Sequence, residues 1–158
     1  MPLTADRIAQ IIGGLGRAKI LILGDIMLDE YLIGRVDRIS PEAPVPVVEI
    51  LSDKLLLGGS ANVAANIRAL GDEPLLLGVV GEDEASVKLS LLLKQHGISD
   101  LFCVIDKSRQ KTIKTRIIAH SHEVVLAARE NRDVPSADVQ ACVVRRFEDV
   151  ADEIDAVI

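Results

Sequence analysis

The sequence predicts an α/β fold in three layers, a parallel sheet between helices, with a small excursion of paired strands. Three observations carry that expectation. Short, continuous apolar runs at 19–23, 74–80 and 101–105 have the length and character of strands buried on both faces. Helical patterns at 60–70 and 83–95 stand between them, so the order is βαβαβ, which right-handed crossovers wind into a parallel sheet. Hydrophobic residues make up 49% of the 158 residues, enough for one domain with a sizeable core.

With aromatic residues at 2% and no Trp, that core is built from Leu, Ile, Val and Ala, and aromatic platforms for stacking bases are missing. A formal net charge of -6 argues against a nucleic-acid partner, because phosphate contacts need clustered Lys and Arg. Cys103 and Cys142 lack CxxC or Cys/His ligand spacing, so they read as buried small hydrophobes in a reducing compartment and give no metal signal. No apolar run approaches the roughly 18 residues of a bilayer span, and segment 8–16 lacks the flanks of a signal peptide. The expected location is cytoplasmic, with no membrane partner.

Taken in order, Ile8, Ile11, Ile12 and Leu15 follow i, i+3, i+4, i+7 spacing behind Thr4, which predicts an N-capped amphipathic helix over 4–15. The glycines at 13, 14 and 16 end that helix; they follow a helical pattern rather than a strand, and Lys19 stands where a dinucleotide fingerprint needs its third glycine. The strand at 19–23 empties into Gly24-Asp25-Ile26-Met27-Leu28-Asp29. Ligands of open α/β sheets bind beyond the carboxyl ends of strands, so Asp25 and Asp29 are candidates for holding hydroxyls or a cation, and a solvated loop is the plainer alternative.

Segments 31–36 and 45–51 read as strands around Pro41, Pro44 and Pro46, a hairpin-like flap inserted before the glycine turn. In Gly58-Gly59-Ser60-Ala61-Asn62 a glycine pair runs into an alanine-rich helix. Such a turn brings backbone N–H groups close to a ligand, and Asn62 falls in the first helical turn; the local pattern fits a tight structural turn equally well. The helix over 60–70 is nearly all apolar, which predicts burial, and it stops at Gly71. A further helix runs from about Asp83 to Gln95.

Segments 111–119 and 123–128 look like another strand pair joined by His120-Ser121-His122. Alternation places Lys114 and Arg116 on one face, suited to a phosphate or carboxylate, with solvated edge charges as the commoner explanation. With no third ligand near them, the two histidines read as an exposed turn. Ser136 caps a last helix reaching about Val150, and Asp155-Ala156-Val157-Ile158 begins a fresh strand and stops, which predicts a chain cut short or a half-fold completed by something else.

Gly58, Gly59, Asn62 and Ala64, with Gly71 and Gly81 at fixed distances, resemble the N-terminal signature of the ribokinase-like (PfkB) carbohydrate kinases, Ser60 standing where Gly, Ala or Pro is usual. Within that family, segments 24–29 and 38–47 and the Thr112-Ile113-Lys114-Thr115-Arg116 strand are similar to the bacterial heptose 7-phosphate kinases, the kinase part of the bifunctional enzyme that makes ADP-heptose. The resemblance implies a ribokinase-like αβα sheet with a β lid, at about 30–57 and 110–130, over a sugar site. Asp29, Gly58, Gly59 and Asn62 would hold sugar hydroxyls, and Asp25 would line the same pocket. The lid would form a homodimer, and charge makes Lys114 and Arg116 candidates for the sugar's phosphate.

Two departures accompany the resemblance. Residues 120–128 lack the polar, Arg- and Gln-containing strand usual in that group, and the family's catalytic Gly-Ala-Gly-Asp motif occurs nowhere. The expectation for 1–158 is therefore the sugar-binding half of an ATP- and Mg²⁺-dependent kinase domain, incomplete at its C-terminus. It would hold no catalytic base and no complete nucleotide site. The rival expectation is a non-catalytic half-domain for sugar-phosphate binding or assembly.

Overall fold

The computed structural model describes residues 4–120 and 122–158, so Ser121 of the predicted histidine turn lies outside the described residues. Helix α1 (Ala5–Gly14) is capped by Thr4, whose side chain accepts the Arg7 N–H at 3.3 Å. Its apolar stripe is as predicted, yet no residue of the helix is buried, and Ile12 is 62% exposed. The turn after it folds around Asp72, a buried carboxylate whose Oδ1 accepts the N–H groups of Gly16, Arg17 and Ala18 at 2.8–2.9 Å. The amides beyond the glycine cluster thus serve an internal anion and fasten α1 to the sheet.

That sheet has the order β4-β1-β9, all parallel, with β1 at Lys19–Leu23, β4 at Glu73–Leu77 and β9 at Ala156–Val157. Alternate side chains point to opposite faces. Ile22 and Leu76 pack against helices α2 (Ser60–Ala69) and α3 (Glu84–Gln95), whose Ala61, Ala64, Leu89 and Leu93 complete that layer. Leu21, Leu75 and Leu77 meet Val139, Cys142, Val143 and Phe147 of α4 (Ala137–Glu148) on the other face. These are the predicted three layers. Each fully buried leucine or isoleucine contributes about 1.5–3 kcal/mol by leaving water.

Four local expectations are corrected. The 74–80 run breaks at Gly78, where a Cβ would lie 2.5 Å from the Gly24 carbonyl oxygen; β5 (Val79–Val80) follows and pairs with β6 (Val104–Ile105). The strand expected over 101–105 shrinks to those last two residues, because Cys103 N–H closes a turn on Asp100 O at 3.0 Å and leaves Leu101 75% exposed. Helix α2 buries only Ser60, Ala61 and Ala64, since one stripe suffices to contact the sheet. Cys103 and Cys142 are half-buried rather than buried.

A second, four-stranded sheet has the order β3-β2-β7-β8. The flap is a hairpin of β2 (Ile26–Ile39) and β3 (Pro46–Gly59), longer than expected because cross-strand pairing continues from Ile26↔Gly59 to Ile39↔Pro46. Strand β7 (Ile113–Ala119) pairs parallel with β2, and β8 (His122–Arg129) antiparallel with β7. Leu28 and Leu57 on one face of this sheet join the core below α3. The opposite face carries Asp29, Lys114 and Arg116, as strand register requires.

Candidate functional site

The site begins where β1 ends. Its carboxyl end opens into Gly24 and Asp25, and the Asp25 carbonyl accepts the N–H of Ser60, the first residue of α2, at 2.9 Å. Gly59 makes that closure possible: its φ is +56°, and a Cβ there would stand 2.3 Å from the Asp25 carbonyl oxygen. Gly58 lies opposite Met27, next to Asp29 on the same face; a Cβ at 58 would meet Asp29 Oδ2 at 2.7 Å. The glycine pair therefore does two things, docking the helix start onto the strand exit and leaving room for the Asp29 carboxylate. Ser60, the departure from the family signature, keeps a buried hydroxyl oxygen with no hydrogen-bond partner among the described residues.

Register brings the predicted cations to the same face. Lys114 is opposite Asp29 and Arg116 opposite Tyr31. Arg116 is already engaged: Nη1 donates to Asp29 Oδ1 at 2.6 Å, Nε lies 3.7 Å from Glu123 Oε2, and the guanidinium sits 5.3 Å from the Tyr31 ring centroid. The hydrogen bond to Asp29 holds the Arg116 pKa above its ordinary value, against a lesser opposing effect of desolvation. Asp25, Asp29, Gly58, Gly59, Lys114 and Arg116 are thus brought together around the strand exit. Asn62 stands on the first turn of α2, exposed.

Beside this patch opens a cavity of about 620 Å³, lined by Gly24, Asp25, Gly78, Gly81, Arg109 and Lys111 among others. Of the predicted site residues only Asp25 reaches it. Gly81 permits a close crossing, since a Cβ there would lie 2.4 Å from the Arg109 carbonyl oxygen. Lys111 N–H donates to Asp83 Oδ2 at 2.8 Å, while Asp83 Oδ1 caps α3 by accepting Ser86 N–H at 2.9 Å. Burial tends to raise the Asp83 pKa, but the hydrogen bonds from Lys111 and Ser86 together outweigh it and bring the pKa below its ordinary value. The Lys111 side chain is 3% exposed, and burial takes its pKa down to about 8.

Arg109 and Lys111 escaped the sequence reading as site residues. The charge cluster at 111–116 was visible, but which of its members turns inward depends on how the loop before β7 crosses Gly81. Among the described residues no group of three or more His, Cys, Asp or Glu is placed to hold a metal ion, and no helix is long and apolar enough to cross a membrane. His120 has a positive φ of 50°, and its Nε2 lies 3.4 Å from the Val36 backbone nitrogen.

Solved structures share this architecture. A carbohydrate kinase from Agrobacterium tumefaciens superposes with a TM-score of 0.63 at 20% identity, over 89% of this chain and 44% of that one. A ribokinase from Cryptococcus neoformans, solved in complex with ADP, gives 0.55 at 18% identity, over 76% of this chain and 38% of that one. The fold is therefore ribokinase-like. Residues 17–148 match the model of the pfkB family of carbohydrate kinases, and the chain belongs to that family.

Curated relatives narrow the likeness. The chain is 42% identical to the bifunctional protein HldE of a Caulobacter species over 127 residues, 80% of this chain and 26% of that protein. To HldE of Helicobacter pylori it is 42% identical over 140 residues, 89% of this chain and 30% of that protein. It spans less than a third of the length of these relatives.

Proposed function

We propose that this chain is the sugar-binding part of a carbohydrate kinase domain acting on a heptose phosphate, as its likeness to HldE suggests. The observation that carries the reading is the Asp29 carboxylate lying over Gly58 at the strand exit, beside the α2 start that Gly59 docks. A carboxylate accepts hydrogen bonds from two vicinal hydroxyls, and a glycine beneath it lets a sugar ring approach the backbone. In this reading Asp29, Gly58, Gly59 and Asn62 hold the hydroxyls, and Asp25 lines the neighbouring cavity. Lys114 faces the sugar's phosphate. Arg116 joins it only by loosening its bond to Asp29, so ligand and internal ion pair compete.

ATP and Mg²⁺ belong to the proposal for the complete enzyme, where the nucleotide supplies the phosphoryl group. The chain offers no complete site for the nucleotide, because the sequence has no Gly-Ala-Gly-Asp helix start for the phosphates. In this reading the residues of this chain bind and orient the acceptor.

The four-stranded sheet is proposed as the lid and as a homodimer surface. Its hairpin exposes Ile39, Val45, Ile50 and Leu51, and β8 exposes Val125 and Leu126 beside an unpaired strand edge.

Calorimetric titration with a heptose 7-phosphate tests the sugar site. Removing a charged acceptor costs about 1.5–3 kcal/mol, so Asp29→Asn is expected to weaken binding by about tenfold to a hundredfold. Asn62→Ala is expected to weaken it less. Equal affinities for wild type and both variants would overturn the assignment.

A further inference from the structure

The 620 Å³ cavity contains a charge that the sugar reading does not use. Three cations line it, and two are satisfied from within the chain. Arg109 is held by Asp106 Oδ2 at 3.4 Å, by the Asn131 carbonyl at 3.4 Å and by the Asp133 carbonyl. Arg132 pairs with Glu130 at 3.0 Å. Lys111 is the exception. Its side chain is 3% exposed, yet among the described residues its Nζ has no ion-pair partner and a single long hydrogen bond, 3.5 Å, to the Val79 carbonyl.

The neighbouring carboxylate cannot serve it well. Asp83 spends one oxygen on the Lys111 backbone N–H and the other on the N–H and hydroxyl of Ser86. Asp25, which lines the same cavity, is exposed and forms no salt bridge with Lys111 among the described residues. A buried ammonium without a counter-charge is costly, so its presence in a cavity wall points to a negative group brought by a ligand.

We propose that Lys111 is an oxyanion-binding residue of this cavity, taking a phosphate group of a ligand whose hydroxyls are offered to Asp25. Sulfate or phosphate binding by Lys111 stands independently of the sugar reading, and only the source of the phosphate rests on it: the sugar's own ester, held then at Lys111 in place of Lys114, or a nucleotide's phosphate. The groups facing Lys111 are Asp25 after β1, Asp83 before α3 and Cys103 before β6, whose thiol burial pushes up to about 11. Asp83, its pKa lowered, stays ionised over pH 7–9.5 and the Cys103 thiol, raised to about 11, stays largely neutral, so the pH dependence expected over that range is that of Lys111.

The test titrates the chain with sulfate, which stays dianionic across this range, by calorimetry. Wild type is expected to lose about tenfold in affinity per pH unit above about 8, as the ammonium deprotonates. Lys111→Met is expected to bind at least tenfold more weakly at pH 7, while Lys94→Met, at an exposed position of α3, binds sulfate as wild type does. Unchanged sulfate affinity in Lys111→Met, or a flat wild-type profile between pH 7 and 9.5, overturns the proposal. Should Lys111→Met not fold, the wild-type pH profile decides alone. Parallel titrations with a heptose 7-phosphate and with ADP assign the source, since the Lys111→Met loss falls on the ligand whose phosphate sits there; a loss with neither overturns the proposal even if the sugar site holds.

Discussion

Alanine at each of the paired glycines should separate a glycine that the fold needs from one that the site needs. At 59 the added Cβ meets a backbone atom, the Asp25 carbonyl oxygen at 2.3 Å, and that same oxygen anchors α2 through the Ser60 N–H. No rotamer change relieves such a contact. A φ of +56° with ψ -134° adds backbone strain, of order 1–3 kcal/mol, to an overpacking cost of about 1–3 kcal/mol. The sum, about 2–6 kcal/mol, is a large part of the roughly 5–15 kcal/mol that holds a domain folded. At about 2–4 °C per kcal/mol, Gly59→Ala should melt at least about 4 °C below wild type.

At 58 the neighbours are side-chain atoms, Asp29 Oδ2 at 2.7 Å and Met27 Cγ at 2.9 Å, which can swing aside. Moving Asp29 breaks its partly exposed ion pair with Arg116, worth about 0–1 kcal/mol. Gly58→Ala should therefore melt within about 4 °C of wild type while losing sugar binding. The assay is thermal unfolding followed by circular dichroism on both variants, with sugar titration of whichever folds. Equal melting temperatures for the two variants, or a Gly58→Ala protein that is the less stable, would refute the reasoning.

Asp72→Ala removes the acceptor of three backbone N–H groups and should lower stability by about 2 kcal/mol or more, with Asp72→Asn recovering part of it; urea unfolding midpoints measure both. Asp83 has a folded pKa below its unfolded value, so the stability it adds is present above about pH 4 and is lost as pH falls through the folded value; acid unfolding of Asp83→Asn should show a shallower dependence there. Lys111 also has a lowered folded pKa, which for a cation means the unfolded chain binds the extra proton. Between its folded value of about 8 and the unfolded value of about 10.4, wild type should gain up to about 3 kcal/mol relative to Lys111→Met, read from urea unfolding at pH 7 and pH 10. Leu51→Glu on the exposed flap should convert a lid-mediated dimer to monomer in sedimentation velocity, and an unchanged sedimentation coefficient for a dimeric wild type argues against that surface.

Much of this chain was legible in local pattern. Thr4 and Ser136 were readable as caps because a short oxygen-bearing side chain before an apolar periodicity has one favourable use, and both accept the N–H expected of them; Asp83, read only as the start of its helix, turns out to be the third cap. Strand β1 was readable because a run buried on both faces is apolar throughout. Burial was less so: the stripe on α1 looks like any core-facing stripe, but a helix buries its apolar face only if another element comes to meet it. Segment 101–105 shows the same limit, since a turn closed by Cys103 uses residues whose composition suits a strand.

At the site, the sequence by itself determined the chemical kinds: two carboxylates after a strand, a glycine pair before a helix, and cations at alternate positions. Those follow from spacing along one chain. The tertiary structure decided the partnerships. It laid Asp29 over Gly58, tied Arg116 to Asp29 across 87 residues, and turned Lys111 inward instead of Lys114. The physical reason is that charge pairing and desolvation depend on distance in space and on access to water, and strand order and loop crossings set both among residues far apart in the chain.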